Sequence, residues 1–273
     1  MTESPTTLAG RVLIVAGSDS GGGAGIQADI KAVSALGGYA ATAIAALTAQ
    51  NTRGVFGILD IPPAFIRQQI DLVLDDIGAD VVKTGMLSRS EAIGEVVAAL
   101  NNRFPRIPLV VDPVMVAKGG RKLLDDAAHD ALIRHLLPMA TILTPNLPEA
   151  EALTGRTISG VEDMIAAGRS LVGMGARSVL VKGGHLPGPR LVDVLVGPEG
   201  VRTFEGDRIA TSSTHGTGCT LASAIATGIA QGLTLGDAVD RARRYVTLAI
   251  RTAPGLGGGH GPLNHLHTVR PFP

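Results

Sequence analysis

Apolar positions along this chain follow two alternating rhythms. Short, nearly unbroken apolar runs at 12–16, 40–46, 55–61, 80–83, 109–111, 141–143 and 178–181 read as buried strands. Between them, apolar residues recur at helical spacing. Residues 26–36 form one such stretch, stopped by Gly37-Gly38. Pro62-Pro63 opens another that runs to about Ile77 and carries Phe65, Ile66, Ile70, Val73 and Leu74. Further helices are predicted at 91–100, 125–137, 221–232 and 235–252. Repeated strand–helix–strand units with apolar strands predict an α/β fold with a mostly parallel sheet and helices on both faces. One segment departs from this: 191–196, then Gly197-Pro198-Glu199-Gly200, then 201–204 reads as a β-hairpin adding antiparallel strands at a sheet edge. No linker or repeat interrupts the chain, so one domain over 11–273 is expected behind a short tail, 1–10. In such sheets ligands lie beyond the C-terminal ends of the strands.

Composition removes several classes of function. Lys+Arg and Asp+Glu are both 24, so no net charge points to nucleic acid or an anionic membrane. Aromatics are 3% with no tryptophan, which disfavours base-stacking surfaces. The single cysteine excludes an internal disulfide and a cysteine-based zinc site. The first ten residues contain Glu3 and no basic stretch before an apolar run, unlike a signal peptide, and 40–49 is too short to span a bilayer. A cytoplasmic protein is expected.

Chemistry-bearing residues collect where the predicted strands end. Thr214-His215-Gly216-Thr217-Gly218-Cys219-Thr220 runs into the Ala-rich helix predicted from Leu221. A helix N-terminus offers free N–H groups to an anion, and glycines let them approach. A thiol there has a lowered pKa and can act as base or nucleophile. A small core cysteine before a buried helix is the structural alternative. Asp112 ends one strand and could hold Mg²⁺ or simply form a turn before Pro113. Asn146 and Glu149 share one face of a helix start, as Mg²⁺ or phosphate ligands or as an ordinary cap. Lys182 ends another strand and could meet a phosphate or be an ordinary surface lysine. Gly17 to Gly25 is glycine-rich but fits neither the phosphate-loop nor the dinucleotide pattern; it reads as a turn shaping a small pocket, with Asp19, Gln27 and Asp29 near its mouth. Gln50 carries acceptor and donor side by side, which suits an aminopyrimidine edge or a similar heteroaromatic, with an ordinary turn amide as the structural alternative. Met86 and Met115 read as pocket lining or core. His260, His265 and His267 invite a metal reading, but no carboxylate joins them. An anion hole, two candidate Mg²⁺ carboxylates and a lysine at one sheet edge together point to phosphoryl transfer.

These residues carry a resemblance. Residues 16–29 (AGSDSGGGAGIQAD), 49–52 (AQNT), 83–87 (KTGML), 111–115 (VDPVM), 144–150 (TPNLPEA), 181–185 (VKGGH), 214–220 (THGTGCT) and 259–265 (GHGPLNH) resemble the hydroxymethylpyrimidine/phosphomethylpyrimidine kinases, within the ribokinase-like superfamily. The match spans nearly the whole chain. It implies a three-layer ribokinase-like fold and ATP- and Mg²⁺-dependent phosphorylation of 4-amino-5-hydroxymethyl-2-methylpyrimidine, then of its monophosphate. It implies Cys219 as base, where most of the superfamily has aspartate, with the amides of Gly216, Thr217, Gly218 and Cys219 as the anion hole. Gln50, Gly17, Ala24, Asp29, Met86 and Val114 would surround the pyrimidine. Lys182, Asn146 and Thr214 would serve ATP, and Asp112 and Glu149 Mg²⁺. Thr48 departs from some relatives, which carry an apolar residue there. Lys118-Gly119-Gly120 reads as a closing lid. A pyridoxal or pyridoxine kinase is the nearest alternative, since its substrates also present a hydroxymethyl group on a six-membered heteroaromatic. A non-catalytic pyrimidine sensor is another, although it has no use for an anion hole. A homodimer is one assembly the sequence leaves open.

Overall fold

A computed structural model describes residues 9–101, 103, 106–117 and 120–269. Most of the predicted tail, 1–8, and Lys118 and Gly119 of the predicted lid lie outside these residues.

Nine strands form one sheet in the order β3-β2-β1-β4-β5-β6-β7-β8-β9. The strands are β1 (Arg11–Asp19), β2 (Tyr39–Asn51), β3 (Gly54–Asp60), β4 (Val81–Thr84), β5 (Leu109–Val111), β6 (Ile142–Leu143), β7 (Val179–Lys182), β8 (Arg190–Gly197) and β9 (Gly200–Asp207). Side chains alternate between the faces of a strand. Along β1, Val12, Ile14 and Ala16 enter one core, and Leu13 and Val15 the other. Strands β4 to β7 divide in the same way, which is why their sequences are apolar throughout.

Two helical layers cover these faces. Helices α2 (Pro63–Asp76), α3 (Ser90–Asn101), α4 (Asp126–Ala131), α5 (Leu147–Thr154) and α6 (Val161–Gly173) bury the larger core. Helices α1 (Gly25–Ala35), α7 (Thr217–Ala230) and α8 (Leu235–Arg251) bury the other. The predicted three layers and the β8–β9 hairpin are both present.

Several expectations change. Strand β3 pairs antiparallel with β2, so antiparallel strands stand at both sheet edges. That pairing extends β2 to Asn51, well past the predicted 40–46, and places Thr48 and Gln50 inside it. The helix predicted at 125–137 stops at Ala131 and continues as a π turn (Leu132–Leu136) and a 3₁₀ turn (Leu137–Met139), where Pro138 cannot supply an amide. Helix α6 was not anticipated. Helix α7 starts four residues earlier than predicted, because Gly216 caps it at φ +79°.

The order places β1 between β2, which follows it through α1, and β4, which is reached from β3 through α2, so the crossovers run to opposite sides of β1. A crevice forms at such a switch point, beyond the carboxyl ends of the strands.

Candidate active site

Two adjoining cavities occupy this end of the sheet. The smaller, about 160 Å³, is lined by Gly17, Ala24, Gln50, Met86, Val114 and Cys219 among others. The larger, about 990 Å³, extends over Thr214, Pro148, Leu221 and the β8–β9 edge. Asn146, Glu149, Lys182, Thr217 and Gly218 line both, so the first turn of α7 stands at their junction.

Helix α7 begins at Thr217 with Gly216 as cap and no side chain bonded to its end. The first-turn amides of a helix have no partner within it, and the helix dipole favours negative charge there. Gly216 holds a left-handed φ, and a Cβ on it would run into the Gly23 carbonyl. Glycine at both positions lets the two loops touch. The C-terminal segment braces them, since His215 N–H donates to the Gly261 carbonyl at 3.0 Å.

Charge converges on the same turn. A Cβ on Gly218 would lie 3.4 Å from Lys182 Nζ and 3.6 Å from Asp112 Oδ2. Lys182 Nζ donates to Asp112 Oδ1 at 3.0 Å, and Asp112 is 2% exposed. Lys182 N–H donates to the Pro145 carbonyl at 2.8 Å, which sets the lysine beside Asn146.

Asn146 and Glu149 form a capping box on α5: Glu149 N–H donates to Asn146 Oδ1 at 2.9 Å, and Asn146 N–H to Glu149 Oε2 at 2.8 Å. The cap reading and the cleft-lining reading of these residues therefore hold together. Burial pushes the Glu149 carboxyl up to about 7; Lys182 opposes this and the Asp112 charge adds to it. A buried carboxyl whose ionisation is opposed by a neighbouring carboxylate suits a divalent cation, and Mg²⁺ commonly uses one or two carboxylates together with phosphate oxygens and water.

Two expectations are corrected. Cys219 does not have a lowered pKa. It sits in the first turn of α7 rather than in a loop before it, and burial pushes the thiol up to about 12 against the opposing charge of Lys83. Asp29 does not stand at the pocket mouth or line the small cavity. It is 0% exposed on α1, its carboxylate accepting from Lys83 Nζ at 2.9 and 2.8 Å and from Ser223 Oγ at 2.6 Å. Apart from Gln27, which lines neither cavity and braces the glycine-rich loop by accepting from Asp19 N–H at 2.8 Å, the other predicted site residues line one cavity or the other.

Lys83 and His215 had no role of their own in the sequence, and Asp19, expected near the pocket mouth, takes a more specific one. Lys83, on β4, is 0% exposed yet reaches the small cavity; a lysine inside an apolar parallel strand was the available signal. Asp19 organises the glycine-rich loop by accepting from the N–H groups of Gly21 (2.7 Å), Gly23 (3.0 Å) and Ala24 (2.8 Å). His215 Nε2 lies 2.8 Å from Asp19 Oδ2. Thr48 Oγ1 donates to the Ser18 carbonyl at 2.9 Å, which explains a hydroxyl at that position. Of the tail histidines, His265 is buried against Thr220 Oγ1 at 3.0 Å, and the His267 ring packs on Tyr245.

Comparison with known proteins decides the family. The family model for phosphomethylpyrimidine kinase matches residues 19–264. The chain belongs to that family. As a phosphomethylpyrimidine kinase family member it is a phosphotransferase with a ribokinase-like fold. It is 47% identical over 258 residues to a hydroxymethylpyrimidine/phosphomethylpyrimidine kinase of Rhizobium meliloti, covering 93% of this chain and 96% of that one. It is 56% identical over 257 residues to the thiamine biosynthesis bifunctional protein ThiED of Geobacter sulfurreducens; the match takes in 94% of this chain but only 52% of that longer protein. Among solved structures, the pyridoxal kinase of Staphylococcus aureus in complex with AMP-PCP and pyridoxal superposes with a TM-score of 0.88 at 32% identity, covering 97% of this chain and 96% of that one. Among the described residues, no helix is long and apolar enough to cross a membrane.

Proposed function

We propose that the protein transfers a phosphoryl group from ATP to the hydroxymethyl group of 4-amino-5-hydroxymethyl-2-methylpyrimidine, and then phosphorylates the monophosphate to the diphosphate, in thiamine biosynthesis. One observation carries this reading. A cavity sized for a single heteroaromatic ring meets a nucleotide-sized cleft at the N-terminus of α7.

Gln50 hydrogen-bonds the pyrimidine edge, while Met86 and Val114 hold its faces and Gly17 and Ala24 leave room for it. The ATP phosphates extend from the larger cleft toward Lys182, Asn146 and Thr214. The amides of Gly216 to Cys219 receive the transferring phosphoryl group, whose charge lies on its equatorial oxygens. Asp112 and Glu149 hold Mg²⁺, which when bound neutralises phosphate charge. Cys219 Sγ takes the hydroxymethyl proton as the new O–P bond forms. Its reactive form is the thiolate, a minor species in a thiol raised to about 12, and the nearby Lys83 charge favours that form. The second transfer attacks with a phosphate oxygen and has no such proton to lose. The continuous sheet supports treating 11–273 as one kinase domain, and the lack of net charge fits small-molecule partners in the cytoplasm.

Pyridoxal phosphorylation is the second reading, favoured by the likeness to the Staphylococcus aureus enzyme. One experiment separates the two. Purified protein is incubated with ATP, Mg²⁺ and either alcohol, and products are followed by mass. Mono- and then diphosphate from the pyrimidine are expected; phosphate on pyridoxal alone would reverse the assignment.

A further inference from the structure

Asp19, His215 and Gln50 come from the end of β1, the loop before α7 and the end of β2, and they meet at the wall of the small cavity. His215 Nε2 lies 2.8 Å from Asp19 Oδ2 and 3.1 Å from Gln50 Nε2. One ring nitrogen cannot serve both contacts as they stand. Burial works against the Asp19 charge, but His215 and the N–H groups of Ala24 and Gly21 outweigh it and hold the carboxyl at about 2. Asp19 is therefore an ionised carboxylate, which only accepts. So His215 Nε2 carries a hydrogen and donates it.

A Gln50 N–H aimed at that nitrogen would meet another hydrogen. The two ends of a side-chain amide have nearly the same shape, and their assignment follows their partners. Turning the amide by about 180° places Oε1 against His215 Nε2–H as a second, shared acceptor, without changing the packing. The ring is held in place by its 2.8 Å contact with Asp19 and by Gly23, which packs so closely on it that a Cβ there would collide with it.

We propose that the Asp19–His215 pair is a positioning device: it fixes the Gln50 side-chain amide in one orientation and so sets the donor–acceptor order that the cavity reads on its substrate. This rests on Gln50 as the pyrimidine contact. With Oε1 turned to His215, one lone pair of Oε1 and the Nε2 hydrogens remain for the ligand. The matching edge has a donor beside an acceptor in one order only. A 4-aminopyrimidine presents that order in its amine and ring nitrogen, and the 4-oxo analogue presents the reverse. A freely turning glutamine would accept either.

The test measures dissociation constants of 4-amino-5-hydroxymethyl-2-methylpyrimidine and its 4-oxo counterpart by competition calorimetry on the full chain. The unmodified protein should prefer the amino compound by roughly 100-fold or more, since a site built to hydrogen-bond one pattern leaves its groups unpaired with the other. His215→Phe removes the donor and keeps the ring; the preference should fall by about 10-fold or more, the worth of one hydrogen bond. His215→Gln, whose terminal N–H reaches nearly as far, should restore most of it. Equal weakening of both ligands in His215→Phe, with the preference intact, would make His215 a packing residue and overturn the proposal. Gln50→Ala separates the two layers of the argument. A preference that survives it refutes Gln50 as the reader. A preference lost in Gln50→Ala but kept in His215→Phe refutes the positioning alone. Nitrogen-15 shifts of His215 in the unmodified protein need no variant: a protonated Nε2 is expected, and a bare Nε2 overturns the proposal.

Discussion

Both carboxylate oxygens of Asp29 lie within 2.9 Å of Lys83 Nζ, and neither residue is exposed. The pair joins α1 to β4 beneath the small cavity. Breaking a buried pair leaves one charge unpaired, at a cost of about 3–5 kcal/mol. Lys83→Met and Asp29→Leu should each lower unfolding stability by about that amount, measured by denaturant titration. The double variant Lys83→Met/Asp29→Leu should recover much of the loss, because no bare charge remains. Additive losses in the double variant would contradict this account.

Cys219 should give the two transfers different pH profiles. Burial raises the thiol to about 12, so its thiolate fraction grows with pH throughout the neutral range. A first step that uses the thiolate as base should accelerate by up to about 10-fold per pH unit between roughly pH 6.5 and 9. The second step should lack this rise. Cys219→Ala should slow the first step far more than the second, read from single-turnover formation of mono- and diphosphate. Equal losses in both steps, with a flat first-step profile, would leave Cys219 a packing or anion-hole residue.

Gly216→Ala tests the contact between the two glycine loops. The residue holds φ +79°, which costs an L-residue about 1–2 kcal/mol, and its Cβ would run into the Gly23 carbonyl. The first turn of α7 must then shift. A shift of about 1 Å in a positioning group can cost roughly 100-fold in rate. A fall of that size in kcat/KM, with a lowered melting temperature, is expected; near-normal turnover would show the close approach to be dispensable.

Glu149 closes the capping box and is proposed to hold Mg²⁺, and two substitutions can separate these. Glu149→Gln keeps an acceptor for the Asn146 N–H and so keeps the capping box, but loses the negative charge. It should fold with nearly normal stability and need a higher Mg²⁺ concentration for half-maximal rate. Glu149→Ala loses both, with a further stability cost of about 1 kcal/mol from the cap. Mg²⁺ titration of the rate and thermal melts of both variants provide the check.

His265 gives the fold a pH dependence. Burial lowers this side chain from its ordinary 6.5 to about 4, so the folded protein keeps it neutral where the unfolded chain would protonate it. Its contribution is complete above about pH 6.5 and is lost as pH falls toward about 4. The slope of stability against pH should reach at most about 1.4 kcal/mol per unit in that window. His265→Gln should flatten it in urea titrations at pH 4.5 and 7; an unchanged slope would assign the effect to other groups.

Strand rhythm, helix rhythm and the residues at strand ends were legible in the sequence because each depends on local periodicity. Apolar runs such as Val12 to Ala16 require burial on both faces, which implies a covered parallel sheet. The motif spacing alone placed Gln50, Asp112, Lys182 and Cys219 at one end of it. Other features depended on what lies across the fold. Strand β2 reaches Gln50 because β3 pairs with it. Asp29 is drawn under the pocket because a lysine on β4 and a serine on α7 surround its carboxylate. The pKa of Cys219 rises because desolvation at the packed start of α7 outweighs the opposing charge of Lys83, and desolvation depends on the surrounding elements. Gln50 meets His215, itself held by Asp19, although these lie 165 and 31 positions away in the chain. Sequence carries the chemistry of each group, and the tertiary structure decides which groups share a low-dielectric space and a proton.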